Sequence, residues 1–119
     1  MTKTEAIQSF FSGIMPSYPA SSVPEAHEDS YLTYELRTGA FDNGETNMTV
    51  NMWFYTTSEE VPNAMAQKLS VAIGMGGKTL PCDGGYVWLK RGSPWCQSLS
   101  DGEYKRRYIN VSVEFLTAD

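Results

Sequence analysis

Apolar and polar residues alternate strictly from Ile109 to Phe115, near the end of the chain. Ile109, Val111, Val113 and Phe115 fall on one side of this pattern, and polar residues occupy the positions between them. A period of two residues is typical of a β-strand with one buried face. The sequence therefore predicts a strand over 107–116, and this is its clearest structural signal.

Two further stretches in the first half of the chain have the composition of long strands. Tyr31–Arg37 is rich in strand-forming residues, and Glu45–Thr56 alternates apolar with polar side chains from Met48 to Phe54. The sequence Asp42-Asn43-Gly44 between them tolerates positive φ angles. We expect these two strands to form an antiparallel hairpin.

Shorter strands are expected before the C-terminal one, at Lys78–Leu80 and Tyr86–Lys90. The glycine-rich segment Asp83-Gly84-Gly85 links them. Turn-forming residues in Arg91–Trp95 and Ser100–Glu103 are expected to interrupt the chain before the final strand begins.

A first helix is predicted near the N-terminus, with Thr4 as its N-cap and its end between Gly13 and Pro16. Its apolar residues follow the spacing of one helical face: Ile7, Phe10, Phe11 and Ile14. The segment Pro16–Asp29 contains three prolines among small and polar residues. It is therefore predicted to be a loop that crosses the surface without regular pairing.

A second helix is predicted after Thr57-Ser58-Glu59-Glu60, which has the form of a capping box. Pro62 complicates this start, because a proline beyond the first turn loses a helical hydrogen bond, and it could move the start to Val61. Gly74-Met75-Gly76-Gly77 ends the helix. Its predicted buried stripe consists of Met65, Leu69, Ala72 and Ile73.

The predicted elements follow the order α-β-β-α-β-β-β. This order indicates an α+β fold, with two helices packed on one face of a mainly antiparallel sheet. The 119 residues fit a single domain, 1–119, and 41% hydrophobic residues are enough to build a core without a metal or disulfide.

Composition also limits the function. Nine Lys and Arg against fourteen Asp and Glu give a net charge of −5, which argues against a general nucleic-acid-binding protein. Cys82, Cys96 and His27 cannot supply the four ligands of a structural zinc site. The N-terminus has no leader pattern and no run is long enough to span a bilayer, so we expect a protein that stays where it is made. Cys82 and Cys96 are expected to be thiols in a reducing compartment, with a disulfide between them as the alternative.

Candidate catalytic patterns have simpler structural explanations. Gly77-Lys78-Thr79 resembles the end of a phosphate-binding loop, but Ala72 stands where the first glycine of that motif belongs, and a helix precedes the segment. The single histidine, His27, is expected in a solvated loop rather than beside a cysteine nucleophile. Glu59-Glu60 suits the start of a helix. The sequence therefore predicts no catalytic, cofactor or metal site.

The remaining candidates point to protein contacts. Lys105-Arg106-Arg107, with Lys90 and Arg91, is the only basic concentration, and it is expected either to be solvated or to contact an acidic protein surface. The chain also contains more large aromatic residues than one small core readily hides: Trp53, Tyr55, Tyr86, Trp88 and Trp95. Aromatic residues and arginine are enriched at protein interfaces.

Much of the chain resembles a family of phage proteins in the order of its motifs. The resemblance includes Tyr31-Leu32-Thr33-Tyr34, the Pro16–Pro19 segment and, near the C-terminus, Glu114-Phe115-Leu116-Thr117. Its central part runs from Gly76-Gly77 through Asp83-Gly84-Gly85-Tyr86-Val87-Trp88-Leu89 and Arg91-Gly92-Ser93-Pro94-Trp95 to Tyr108-Ile109-Asn110-Val111. These features are similar to the tail terminators, or tail-to-head joining proteins, of long-tailed bacteriophages and prophages.

The resemblance implies a structural protein without catalysis or cofactors. Its expected form is a homo-oligomeric, six-fold ring that ends polymerisation of the tail tube and contacts both the tube protein and the head connector. Such a ring is assembled in the bacterial host cytoplasm and lies in the virion, at the head-proximal end of the tail. DNA is expected to pass through its lumen without sequence-specific contact. Trp88, Arg91 and Trp95 are candidate interface residues, with a core tryptophan beside a surface arginine as the alternative.

Two other functions are also compatible with the sequence. A head-completion or connector protein of the same virion would also be small and acidic. A small-ligand-binding module would use the sheet face and its aromatic residues as a pocket.

Overall fold

A computed structural model describes residues 1–36 and 44–118. Helix α1 spans Lys3–Ser12 and helix α2 spans Glu60–Ile73. The strands are β1 Ser17–Pro19, β2 Tyr31–Leu36, β3 Gly44–Tyr55, β4 Lys78–Cys82, β5 Gly85–Asp101 and β6 Tyr104–Thr117. The α+β class predicted from the sequence is confirmed.

The strands form one six-stranded sheet in the order β1-β2-β3-β6-β5-β4. The sheet is mixed, because β1 pairs parallel with β2, whereas the other neighbours are antiparallel. The predicted element order lacked β1, since its three residues lie inside the proline-rich stretch predicted to be a loop. Both edge strands, β1 and β4, contact α1, so the sheet curls around this helix.

The β2–β3 hairpin predicted from the sequence is present, with Tyr31 opposite Trp53 and Leu36 opposite Met48. Its expected turn at Asp42-Asn43-Gly44 includes residues outside the described ranges. Strand β3 continues beyond β2 and pairs with β6 over its full length, from Gly44 opposite Phe115 to Tyr55 opposite Tyr104. The predicted C-terminal strand is therefore a central strand of the sheet.

Strand β5 runs through the predicted interruption at Arg91–Trp95. The register between β5 and β6 shifts between Arg91 and Cys96, which is a β-bulge, and pairing then resumes. At the bulge, Gly92 lies so near β6 that an added Cβ would be 2.6 Å from the carbonyl oxygen of Asn110. The chain turns only at Gly102-Glu103, where Gly102 has φ +63°.

Helix α1 begins one residue before the predicted cap, Thr4. Thr2 is the N-cap, its hydroxyl accepts a hydrogen bond from the Glu5 backbone N–H at 3.2 Å, and the Thr2 N–H donates to Glu5 Oε1 at 2.8 Å. A threonine followed three residues later by glutamate is the capping box, and Thr4 lacks such a partner. The helix ends at Ser12 with Gly13 as its C-cap, at the start of the range predicted for its end, Gly13 to Pro16.

Helix α2 starts at Glu60, with Pro62 buried in its first turn. The proline does no harm there, since backbone N–H groups of the first turn have no partner within a helix. The predicted capping box is wrong: Glu59 is the N-cap and makes no side-chain cap hydrogen bond. Its carboxylate binds Arg107 of β6 instead. The helix ends at Gly74, as predicted.

One hydrophobic core lies between the two helices and the sheet. Ile7 and Phe11 of α1 and Leu69 and Ile73 of α2 are almost fully buried there. The sheet contributes the alternating residues that point toward the helices: Leu32, Tyr34, Met48, Val50, Met52, Phe54, Leu80, Val87, Leu89, Ile109, Val111, Val113 and Phe115. Burying each of the larger side chains contributes roughly 1.5–3 kcal/mol.

Candidate functional site

The side of the sheet opposite α1 and α2, called the open face below, carries no helix among residues 1–36 and 44–118. Strand alternation determines which side chains lie on it. They are Tyr31, Thr33 and Glu35 of β2, Glu45, Asn47, Thr49, Asn51, Trp53 and Tyr55 of β3, Tyr104, Arg106, Tyr108, Asn110, Ser112 and Glu114 of β6, and Tyr86, Trp88, Lys90, Gln97, Leu99 and Asp101 of β5. The open face is thus aromatic and polar.

Trp53 is the centre of an aromatic cluster on the open face. Its ring stacks on Tyr31 at a centroid distance of 6.2 Å and an interplanar angle of 16°. Its Nε1 donates to Thr33 Oγ1 at 3.2 Å, and Thr33 is buried. The Tyr31 ring also contacts the His27 ring, at a centroid distance of 4.2 Å. The rings are held in place by one another and by one hydrogen bond.

Arg106 covers the other side of Trp53. Its guanidinium carbon lies 5.1 Å from the Trp53 ring centroid, in the arrangement of a cation–π contact. The same guanidinium donates to Asn51 Oδ1 at 3.2 Å and forms an ion pair with Asp101 at 2.7 Å. These contacts fix the planar guanidinium over the ring. Trp53 and Arg106 are of the residue types that dominate binding energy at protein interfaces.

Two tyrosines extend this cluster to the end of the sheet. Tyr55 and Tyr104 lie opposite each other on β3 and β6, with ring centroids 5.5 Å apart in an edge-to-face arrangement. Tyr55 is 54% exposed. The aromatic surface therefore runs from β2 to the end of the β5–β6 hairpin.

Trp88, a predicted interface residue, lies on the open face near the β4 edge. Its Nε1 donates to the Gly76 carbonyl at 3.1 Å, and Lys90 Nζ lies 4.3 Å from its ring centroid. Lys90 also forms ion pairs with Glu45 and Glu114, at 3.3 and 3.6 Å. Trp88 is thus partly covered by its own chain.

The other two predicted interface residues lie elsewhere. Arg91 points to the helix side of the sheet, where its Nη1 donates to Ser70 Oγ of α2 at 3.0 Å. Trp95 is partly buried and packs against the core. Trp88 and Arg91 are three residues apart in one strand, so alternation places them on opposite faces. The structure does not bring the three residues together.

The basic residues of β6 are engaged within the chain. Arg107 is 1% exposed, and its Nη2 donates to Glu59 Oε1 at 2.7 Å and to Asn63 Oδ1 at 2.9 Å. Lys105 Nζ lies 3.2 Å from the other Glu59 oxygen. Arg107 and Lys105 therefore attach the start of α2 to the sheet. The prediction that these basic residues are solvated is therefore wrong for Arg107.

These contacts make stability depend on pH. Hydrogen bonds from Arg107 and then from Lys105 lower the pKa of the Glu59 carboxyl. A lowered pKa in the folded state stabilises the fold above the unfolded-state pKa, about 4.3. This stabilisation is lost as the pH falls from that value through the lowered folded-state pKa.

We therefore expect the melting temperature of Glu59→Gln to lie below that of the wild type at pH 7, with the difference shrinking at pH 3. Thermal denaturation at both pH values measures this. Glu60→Gln, at the exposed neighbouring residue, is the matched control and should lower the melting temperature at pH 7 less than Glu59→Gln does. If the melting temperature of Glu59→Gln lay equally far below that of the wild type at pH 7 and at pH 3, the pH-dependent contribution assigned to Glu59 would be contradicted.

The residues considered for catalysis remain apart. His27 precedes β2, its Nδ1 lies 2.8 Å from its neighbour's carbonyl oxygen, and Cys82 and Cys96 belong to β4 and β5 across the sheet. No disulfide joins the two cysteines. Within the described part of the chain, no three His, Cys, Asp or Glu residues are grouped to hold a metal ion. No helix of that part is long and apolar enough to span a membrane.

A groove of about 600 Å³ lies between α1 and the β1–β2 edge. Its wall is mostly apolar. The lining residues are Thr4, Ile7, Pro19, Ala20, Ser21, Tyr34, Glu35 and Leu36. A groove of this size is large enough for a small ligand.

No protein-family model matches this chain, and no curated protein matches it significantly. The functional assignment therefore depends on the residue pattern, the fold and the open face.

Proposed function

We propose that this chain is a phage tail terminator, the subunit of a ring that caps the tail tube, ends its polymerisation and joins it to the head connector. The motifs from Gly76 to Thr117 and the N-terminal segment suggest the family. The observation that supports an assembly role is the open face, where Trp53 is stacked between Tyr31 and Arg106.

The geometry of that cluster suits protein binding. Large aromatic side chains and arginine supply much contact area, and here they are already ordered by their neighbours, so little side-chain entropy is lost on binding. The cluster lies on a broad sheet face rather than in a closed pocket. An open surface of this kind fits another protein surface better than a small molecule.

The charge distribution supports a protein partner rather than a DNA partner. Lys90, Lys105, Arg106 and Arg107 form ion pairs with carboxylates of the same chain, and Arg91 binds Ser70. Cations engaged in this way do not form a strip that displaces counterions from phosphates. A net charge of −5 also suits a conduit that DNA slides past.

The proposal is tested by binding to tail tubes purified from the parent phage. We expect the wild-type protein to co-sediment with the tubes and to form rings at their ends in electron micrographs. Trp53→Ala should weaken binding at least tenfold, about 1.4 kcal/mol, because it removes the centre of the cluster. Val71→Ala, on the exposed outer side of α2, is the control and should bind normally.

The groove between α1 and the β1–β2 edge favours a second candidate function, that of a small-ligand-binding module. A stable monomer that does not bind tail tubes, and whose melting temperature rises with a small molecule bound in this groove, would support the ligand-binding module over the terminator. Self-association alone does not decide between the two, because a ring of this kind can close only on its template.

A further inference from the structure

Two aromatic groups on the open face hold a cation of the same chain. Arg106 lies over the Trp53 ring and pairs with Asp101 at 2.7 Å. Lys90 lies over the Trp88 ring and pairs with two carboxylates. An aromatic ring, a cation over it and a carboxylate beside that cation are therefore a repeated arrangement on this face.

Tyr55 and Tyr104, called the tyrosine pair below, have no such cation among the described residues. Their ring centroids are 5.5 Å apart, and Tyr55 is 54% exposed. The described cation–π contacts of the chain involve the rings of other residues. The tyrosine pair thus presents aromatic surface to the solvent without a described cation over it.

Exposed carboxylates lie at the same end of the sheet as the tyrosine pair. Glu103 precedes Tyr104 in the turn between β5 and β6. Asp29 lies two residues before β2, whose first residue is opposite Trp53, so the chain at Asp29 approaches the end of β3 where Tyr55 lies. No described ion pair engages Asp29 or Glu103. Their charges are therefore available to a cation from outside the chain.

The net charge of the chain is concentrated around the tyrosine pair. Seven carboxylates lie in the segments that flank it, at 25–29, 59–60 and 101–103, against three cations at 105–107. This excess of four accounts for most of the net charge of −5. A surface of this charge attracts a basic partner surface and repels an acidic one.

Arginine is the side chain that fits this combination of aromatic rings and carboxylates. A planar guanidinium stacks on aromatic faces and donates paired hydrogen bonds to carboxylates. Arg106, held over Trp53 by Asp101, already shows this arrangement on the same face. The lysine ammonium is a strongly hydrated point charge and cannot stack in the same way.

A second copy of the chain is a poor source of that arginine. The described arginines are engaged within their own fold: Arg91 with Ser70, Arg106 with Asp101 and Arg107 with Glu59. Two copies would also bring surfaces of like charge together. Because the tyrosine pair lies on a broad sheet face, a free small cation bound there would keep most of its surface in water. These observations favour an arginine on the surface of another protein.

We propose that the tyrosine pair docks an arginine from a basic surface of a partner protein, and that Asp29 and Glu103 pair with its guanidinium. That the partner is a virion protein rests on the proposed function. The chemistry of the contact rests on the open face alone, and it specifies what the partner presents there.

An NMR titration of the full-length protein with a short arginine peptide tests the proposal. The probe is a blocked glycine peptide with one central arginine, and the same peptide with citrulline in its place is the neutral control. We expect the arginine peptide to shift the ring signals of Tyr55 and Tyr104. It should bind at least about fivefold more tightly than the citrulline peptide, because citrulline has the same shape without the charge.

Variants locate the site in the same titration, at about 0.15 M salt. Tyr55→Ala and the double variant Asp29→Asn with Glu103→Gln should each weaken binding of the arginine peptide at least about threefold. Tyr86→Ala removes a similarly exposed tyrosine from the other end of the open face and should bind normally. Glu35→Gln, at an exposed carboxylate of β2, is the matched charge control and should also bind normally.

Equal binding of the arginine and citrulline peptides would overturn the proposal. Ring shifts centred on Tyr86, or wild-type affinity in both Tyr55→Ala and the double variant, would overturn it as well. The titration contains no virion component, so a protein that fails to bind tail tubes but selects the arginine peptide would refute the terminator and keep the arginine site. Tube binding without selection of the arginine peptide would keep the terminator and refute the site.

Discussion

Arg107→Ala is expected to destabilise the fold by about 3 kcal/mol and to lower the melting temperature by roughly 10 °C. The side chain is 1% exposed and lies among the core residues of β3 and β6. Truncation leaves a cavity and removes the hydrogen bonds to Glu59 and Asn63 that hold the start of α2. Thermal or urea denaturation measures the effect.

Two variants separate packing from charge at this position. Arg107→Met keeps most of the buried volume and should lose less stability than Arg107→Ala. Lys105→Met removes the more exposed partner of Glu59 and should cost less than about 1 kcal/mol. Equal stability of Arg107→Ala and the wild type would contradict the role of Arg107 as the attachment of α2.

Gly85→Ala should destabilise the fold by a similar amount, about 3 kcal/mol. Gly85 begins β5 between β4 and β6, and it has φ +155°. A Cβ at this position would lie 2.0 Å from the backbone oxygen of Leu116. Since backbone cannot rotate away as a side chain can, the β5–β6 ladder must separate locally. The melting temperature of the variant measures the cost.

Two other glycines serve as graded controls for Gly85. Gly102 has φ +63°, but a Cβ added there would have nothing within 4 Å, so Gly102→Ala should cost only about 1–2 kcal/mol for its backbone conformation. Gly76 has neither a positive φ nor an atom within 4 Å of an added Cβ, so Gly76→Ala should leave the stability almost unchanged. If Gly85→Ala were no worse than Gly102→Ala, the close approach of Leu116 would not be the cause.

Side-chain alternation made most of the sheet predictable. Strands β2, β3 and β6 each place apolar residues on alternate positions, and a one-residue shift would move all of them out of the core. Their existence and the β2–β3 pairing were therefore predictable from the sequence. The glycines after Ile73 likewise defined the end of α2, because few other residues adopt φ +81°, as Gly74 does.

Features that depend on distant partners were not predictable in the same way. Strand β1 exists because β2 supplies its hydrogen bonds, and nothing within Ser17–Pro19 indicates a strand. The turn-forming residues Gly92 and Pro94 do not end β5, since β6 continues beside them and pairing resumes after a bulge. Local turn preference is overridden there by pairing on the neighbouring strand.

The residue types of the candidate site were predictable from the composition of the chain, but the positions of its side chains were less predictable. The aromatic surplus pointed to an interface, and Trp53 and Tyr55 do lie on the open face. Arg106 and Arg107 are adjacent in sequence, yet alternation sends one over Trp53 and buries the other beneath α2.

The length of tails made without this protein is the most direct test of the proposed terminator function. The gene would be deleted from an inducible parent phage and tails measured by electron microscopy, with plasmid-borne wild-type protein as the rescue. We expect overlong tails of uncontrolled length, unattached to heads, and normal lengths after rescue. Tails of normal length beside DNA-filled heads would contradict termination and indicate a connector role, and normal infectious virions would contradict any role in assembly.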